Sequence, residues 1–234
     1  MTIRDMEGTV DDKIPVKTIL VSVTDKRGLD ELIPGLLELE PDMLIISTGG
    51  TYTTLKEILG TNHSHNLTDV ATYTGFPEMQ GGLVKTLHPK IYAGILAERN
   101  NKEHQRYLAE ELNGAKYIDM VIVNLYPFQN MIATPGVTFE KARGNIDIGG
   151  PAMLRAAAKN FMSCAAIRDP VDYISILDHI RRNEGSTTFA QRLDLARKVF
   201  TTTSGYDAAI AEHISYKIAT SYDNIVNEYK FSKP

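Results

Sequence analysis

Lys85 sits among apolar neighbours in Val84-Lys85-Thr86-Leu87, and a partly buried lysine there can hold an anion or take part in proton transfer. A lysine snorkelling from a loop fits the same residues. Asp147 lies between Ile146 and Ile148, just before Gly149-Gly150-Pro151. It is either an ordinary acid near a helix start or a partly buried carboxylate that needs a partner. Lys159 follows Ala156, Ala157 and Ala158, so it is a basic residue on a close-packed element. A Lys–Asp pair built from these two is either structural or a proton-transfer dyad. Tyr126, between Leu125 and Pro127, is a packed ring or an oxyanion donor. His88 precedes Pro89, which makes the dipeptide extended and favours a structural, hydrogen-bonded histidine.

Anion binding has its own candidate in Ser47-Thr48-Gly49-Gly50-Thr51. Two glycines let the backbone approach a ligand, and a following helix offers free N–H groups and a positive dipole end. The hydroxyls of Ser47, Thr48 and Thr51 add donors. No Gly-Lys-Ser/Thr follows, so this is not a P-loop, and a tight Gly-Gly turn fits equally. Ser22-Val23-Thr24-Asp25-Lys26 could bring a hydroxyl and a cation alongside, and Asn124 ends a third apolar run.

These groups need strands that end together. Thr18–Val23, Met43–Ser47 and Met120–Asn124 are short, β-branched, wholly apolar runs, the pattern of strands buried on both faces. Leu67–Val70 and Ser163–Ile167 add two shorter strands. Helical spacing follows the first strand from Leu29, with Thr24 or Asp25 as N-cap, and recurs near Thr53–Leu59, Lys102–Leu112 and Pro151–Asn160. Three more helices are expected at about Val171–Asn183, Thr187–Thr203 and Tyr206–Thr220. Between Thr72 and Tyr92, Gly75, Pro77, Gly81, Gly82 and Pro89 interrupt every pattern, and a long irregular segment of this kind is often functional. Alternating strands and helices predict an α/β fold, a parallel sheet with helices on both faces, plus a helical C-terminal part. Ligands bind such sheets beyond the carboxyl ends of the strands.

Composition narrows the class. Of 234 residues, 43% are hydrophobic and 23% charged, which suits a globular domain and excludes disorder. A net charge of −4 gives no electrostatic case for nucleic acid. No apolar run is long enough for a membrane span. The single cysteine, Cys164, rules out an internal disulfide and fits a reducing, cytoplasmic setting. The expected layout is a flexible N-terminal extension over 1–16, one domain over 17–220 and a tail over 221–234.

Taken in order, SVTDKRG, STGGT, TGFPEM, VKTLHPKIYAGIL, IDMVIVNLYPF, NIDIGGPAMLRAAAKN and YDAAIA resemble the IMP cyclohydrolase domain of the bifunctional AICAR transformylase/IMP cyclohydrolase family, from about Thr18 to His213. The resemblance implies a methylglyoxal-synthase-like fold, a homodimer and no metal or organic cofactor. It implies dehydrative ring closure of 5-formamidoimidazole-4-carboxamide ribonucleotide (FAICAR) to inosine monophosphate (IMP). By resemblance, Ser22, Lys26, Ser47, Thr48, Gly49, Gly50 and Thr51 match phosphate-binding positions. Lys85 and Thr86 match residues beside the carboxamide and formyl groups, and Asn124 and Tyr126 match the far side of the pocket. Asp147, Ile148 and Gly149 match the loop that meets the base, and Lys159 matches a lysine paired with that aspartate. Lys85, Tyr126, Asp147 and Lys159 are then the expected catalytic set.

Two positions depart from the family. Leu83 stands where the family has Arg in Gly-Arg-Val-Lys, and Thr202 stands where it usually has His. Losing a charge-assisted hydrogen bond at Leu83 costs ~1.5–3 kcal/mol of binding unless another cation, such as Arg143 or Arg155, substitutes. The transformylase half is absent from the chain, so no folate site is expected and a stand-alone cyclohydrolase is the leading reading. The alternatives are a methylglyoxal-synthase-like phosphate-binding lyase and a nucleotide-binding regulatory module that has lost catalysis.

Overall fold

A computed structural model describes residues 9–126 and 128–229. In chain order the elements are β1 (Lys13–Pro15), β2 (Thr18–Val23), α1 (Leu29–Leu39), β3 (Leu44–Ser47), α2 (Gly49–Leu59), β4 (Leu67–Asp69), α3 (Val70–Thr74), α4 (Pro89–Leu96) and α5 (Lys102–Arg106). They continue with β5 (Met120–Asn124), α6 (Phe128–Ile132), α7 (Phe139–Gly144), α8 (Gly149–Lys159), β6 (Ala165–Ile167), α9 (Tyr173–Arg182), β7 (Ser186–Thr188) and α10 (Phe189–Glu228). Five strands form a parallel sheet in the order β4-β3-β2-β5-β6.

Alternate residues of the central strands feed opposite cores. Ile19, Val21, Ile45 and Ile122 pack on α1, α2 and α9. Leu20, Ile46, Val121 and Val123 pack on α4, α8 and α10. Both faces are covered, which is why these strands read as continuous apolar runs. The chain crosses from β2 to β3 on one side and reaches β5 on the other. The carboxyl ends of β2, β3 and β5 therefore flank a switch in strand order, where a crevice forms.

Several sequence expectations change. The second half of the 1–16 extension is built into the fold: β1 pairs antiparallel with β7, and residues 1–8 lie outside those described. Arg192, fully buried on α10, fastens this region. Its guanidinium donates to the carbonyls of Asp11, Asp12, Phe161, Met162 and Thr187. The N-cap of α1 is Gly28, in the left-handed region, rather than Thr24 or Asp25. The irregular Thr72–Tyr92 segment contains the start of α4. Pro89 takes the first-turn position that needs no N–H, and His88 Nδ1 caps the helix by accepting the Lys90 N–H at 3.1 Å. His88 is thus the structural histidine expected. The last two of the three late helices are one, α10, which runs through Ser204-Gly205 without a break. Its helical backbone breaks at Ser221 and resumes to Glu228, so most of the described part of the expected tail is helical; residues 230–234 lie outside the described part.

Candidate active site

A cleft of about 470 Å³ opens at the carboxyl ends of β2, β3 and β5, within the ~300–1,000 Å³ typical of small-ligand sites. Two helices start in it. Thr48 is the N-cap of α2 but makes no cap bond of its own; its Oγ1 is 2.8 Å from Ser22 Oγ instead. The first N–H groups of α2 are left without a side-chain acceptor, and the helix dipole adds positive potential. At α8 the N-cap is Ile148, whose side chain cannot cap, and Asp147 Oδ1 accepts the Gly150 N–H at 3.0 Å.

Two cations line the cleft, Lys26 and Lys85. Lys85 Nζ lies 3.7 Å from Glu78 Oε1 and 3.0 Å from the point where a Cβ on Gly49 would be. Gly49 has φ +44°, in the left-handed region, so glycine is needed there for both backbone and space. Thr86 Oγ1 similarly occupies the space of a side chain at Gly149, 2.7 Å from that virtual Cβ, and the Asp147 carboxylate fills the space at Gly150. The Lys85–Thr86 segment and the Asp147–Gly150 loop thus touch across the cleft. Backbone support for Asp147 comes from α10: its N–H donates to the Tyr206 phenol oxygen at 2.8 Å.

Of the residues singled out from sequence, Ser22, Lys26, Thr48, Gly49, Gly50, Thr51, Lys85, Thr86, Asn124, Asp147, Ile148 and Gly149 line the cleft together. Two of these have side chains already committed to the fold. Asn124 accepts the Thr24 and Asp25 N–H groups and donates to the Asp25 carbonyl, which locks the loop after β2. Thr51 Oγ1 accepts from Val23 N–H and donates to Val23 O.

Three of the expected residues lie away from the cleft of this chain. Ser47 is fully buried and its hydroxyl donates to Val21 O, so it pins β3 to β2 instead of facing a ligand. Tyr126 is 39% exposed and lies outside the cleft lining, and Pro127 after it is outside the described residues. Lys159 is exposed at the last position of α8 while Asp147 precedes its first turn. At ~1.5 Å rise per residue the two are separated by roughly 15 Å along the axis, and no ion pair joins them among the described residues. The lysine whose ammonium lies inside the cleft is Lys85, beside Gly49 at the start of α2.

Leu83 does line the cleft, 67% exposed. Neither arginine considered as its substitute is free. Arg143 forks onto Glu140 at 2.7 and 2.6 Å, and Arg155 lies over the Phe200 ring. Sequence reasoning missed Gly150, Tyr206 and Glu78. Gly150 could have been found from its doublet with Gly149. The Tyr206–Asp147 contact spans 59 residues and has no local signal.

A five-stranded parallel sheet flanked by helices, with a cleft at its switch point, defines the class. The chain belongs to the MGS-like domain family, whose model matches residues 28–152, and the AICARFT/IMPCHase bienzyme model matches residues 157–233. Among curated relatives, the bifunctional purine biosynthesis protein PurH of Chlorobium phaeobacteroides (strain BS1) is 50% identical over 200 residues, covering 86% of this chain and 36% of that protein. PurH of Magnetococcus marinus is 46% identical over 200 residues, with the same coverage. The chain therefore spans a little over a third of the length of the curated relatives it matches. Among solved structures, the crystal structure of ForH is similar with a TM-score of 0.68 and 36% identity, covering 83% of this chain and 97% of that one.

Proposed function

We propose that the cleft is an IMP cyclohydrolase site, which closes the second ring of FAICAR and releases water. One observation carries the reading. A single cleft holds an uncapped helix start flanked by lysines and, across from it, a carboxylate whose loop touches the Lys85–Thr86 segment. A ribonucleotide has a phosphate for the first feature and a reacting base for the second.

The residues divide the work as follows. The N–H groups of Gly49 and Gly50, the Ser22 and Thr48 hydroxyls and the Lys26 ammonium receive the phosphate. Fixing the phosphate holds the carboxamide and formyl arms in contact, and such intramolecular positioning can supply several kcal/mol of the barrier. Asp147 Oδ2 takes a proton from the carboxamide nitrogen, which attacks the formyl carbon. The formyl oxygen becomes an oxyanion beside Lys85, which stabilises it and then protonates it. The resulting hydroxyl leaves as water while the former formamide nitrogen gives up its proton, and the ring becomes aromatic. The homodimer and the roles of Tyr126 and Lys159 implied by the resemblance also remain proposals; here neither side chain reaches the cleft of its own chain.

The competing phosphate-binding lyase would act on a small phosphorylated ketone. Incubating the chain separately with FAICAR and with dihydroxyacetone phosphate distinguishes the two. The proposal expects IMP from the first and no methylglyoxal from the second. The reverse pattern overturns it.

A further inference from the structure

We propose that Tyr206 is the positioning residue that holds the Asp147 carboxylate toward the cleft, through the hydrogen bond its phenol oxygen accepts from the Asp147 backbone N–H. The inference rests on the cyclohydrolase reading for its kinetic consequence, but its structural content stands apart from it.

Asp147 lies just before the N-cap of α8, where the chain turns from α7 into the new helix. Its N–H is not used inside either helix. The 2.8 Å bond to Tyr206 is the partner it has among the described residues. The N–H is held by α10 while Asp147 itself lines the cleft, its carboxylate set against Gly150 and Oδ1 accepting the Gly150 N–H. Oδ2 has no hydrogen-bond partner among the described residues and is the oxygen left to take a proton. Loss of the Tyr206 contact would free the residue to rotate, with only the Gly150 bond to orient the carboxylate.

The phenol is itself immobilised. Tyr206 is 6% exposed and packs edge-to-face on Phe128, with ring centroids 6.2 Å apart. Met131 and Ala142 complete its buried surroundings. Burial pushes its ionisation up, so the ring presents a neutral oxygen across the physiological range. A hydrogen bond in such a dry setting orients more firmly than one in water. Tyr206 does not line the cleft, so any effect it has on turnover must pass through Asp147.

The test is Tyr206→Phe in the full chain, which keeps the ring and its packing. Two quantities are read: steady-state turnover of FAICAR, and amide hydrogen exchange at Asp147. The inference expects kcat to fall about tenfold or more while KM stays within about threefold, because binding relies on the phosphate end and only the orientation of the base is lost. It also expects the Asp147 amide to exchange at least about tenfold faster, with the amides of β2 and β5 unchanged. Unchanged Asp147 exchange, unchanged kcat in an active enzyme, or a rise in KM that accounts for the whole loss each overturns the proposal. If the unaltered chain shows no turnover, the cyclohydrolase reading fails, and the Asp147 exchange rate still decides whether Tyr206 holds the loop.

Discussion

The ammonium of Lys85 stands 3.0 Å from the place a Cβ on Gly49 would occupy, so the first residue of α2 and the lysine of the irregular segment are in contact. Any side chain at Gly49 must displace that ammonium. Its φ of +44° adds backbone strain of about 1–2 kcal/mol for any other residue. Gly49→Ala is expected to weaken IMP binding by about tenfold or more, measured by titration calorimetry. Gly60, at the other end of α2, also has positive φ but nothing within 4 Å of its virtual Cβ. Gly60→Ala imposes the strain alone and should leave affinity within about twofold.

Lys159 and Asp147 sit at opposite ends of α8, which turns a sequence expectation into a discriminating experiment. Within one chain the lysine is a solvated side chain, so a site built from one chain alone keeps turnover within about twofold in Lys159→Ala. A loss as deep as that of Asp147→Asn would mean that a second copy delivers the lysine. In that case mixing the two inactive variants restores turnover.

His213 on α10 stacks against Phe139 and meets Phe128 edge-on, with centroids at 6.2 and 5.8 Å. Burial, with Lys217 adding, lowers its pKa from the ordinary 6.5. Below pH 6.5 the unfolded chain binds the proton more readily than the folded one, so this contribution is fully present above that pH and is lost as pH falls toward the folded value. Thermal melting followed between pH 5 and 8 should show a falling midpoint below about 6.5. His213→Phe should flatten part of the slope. His179, lowered by burial and by Arg182, keeps the remainder.

Much of the fold was legible because its strands are buried on both faces. Runs such as Met120–Asn124 have no polar face to obscure them, and the Gly49-Gly50 and Gly149-Gly150 turns are local signals. The helix α4 was not legible because Pro89 reads as a breaker unless one knows that it opens a helix capped by His88. Ser204-Gly205 reads as a boundary, but α10 is held across it by packing of Val199, Thr203 and Tyr206. Within the site, residue type was easier to read than direction. Ser47 and Asn124 stand at strand ends as expected, yet backbone partners 26 and about 100 residues away take up their polar atoms. The Asp147–Lys159 pairing was left open by residue type alone, and the structure sets the two at opposite ends of α8 within one chain.

The most direct test of the central claim is a comparison of the unaltered chain with Asp147→Asn, recording IMP formation from FAICAR and IMP binding side by side. The account predicts saturable turnover in the unaltered chain. It predicts a fall of about a hundredfold or more in kcat for the variant, in the range of a lost general base, with IMP affinity held within a few-fold. Turnover that persists in Asp147→Asn, or an unaltered chain that binds IMP without forming it, would contradict the account.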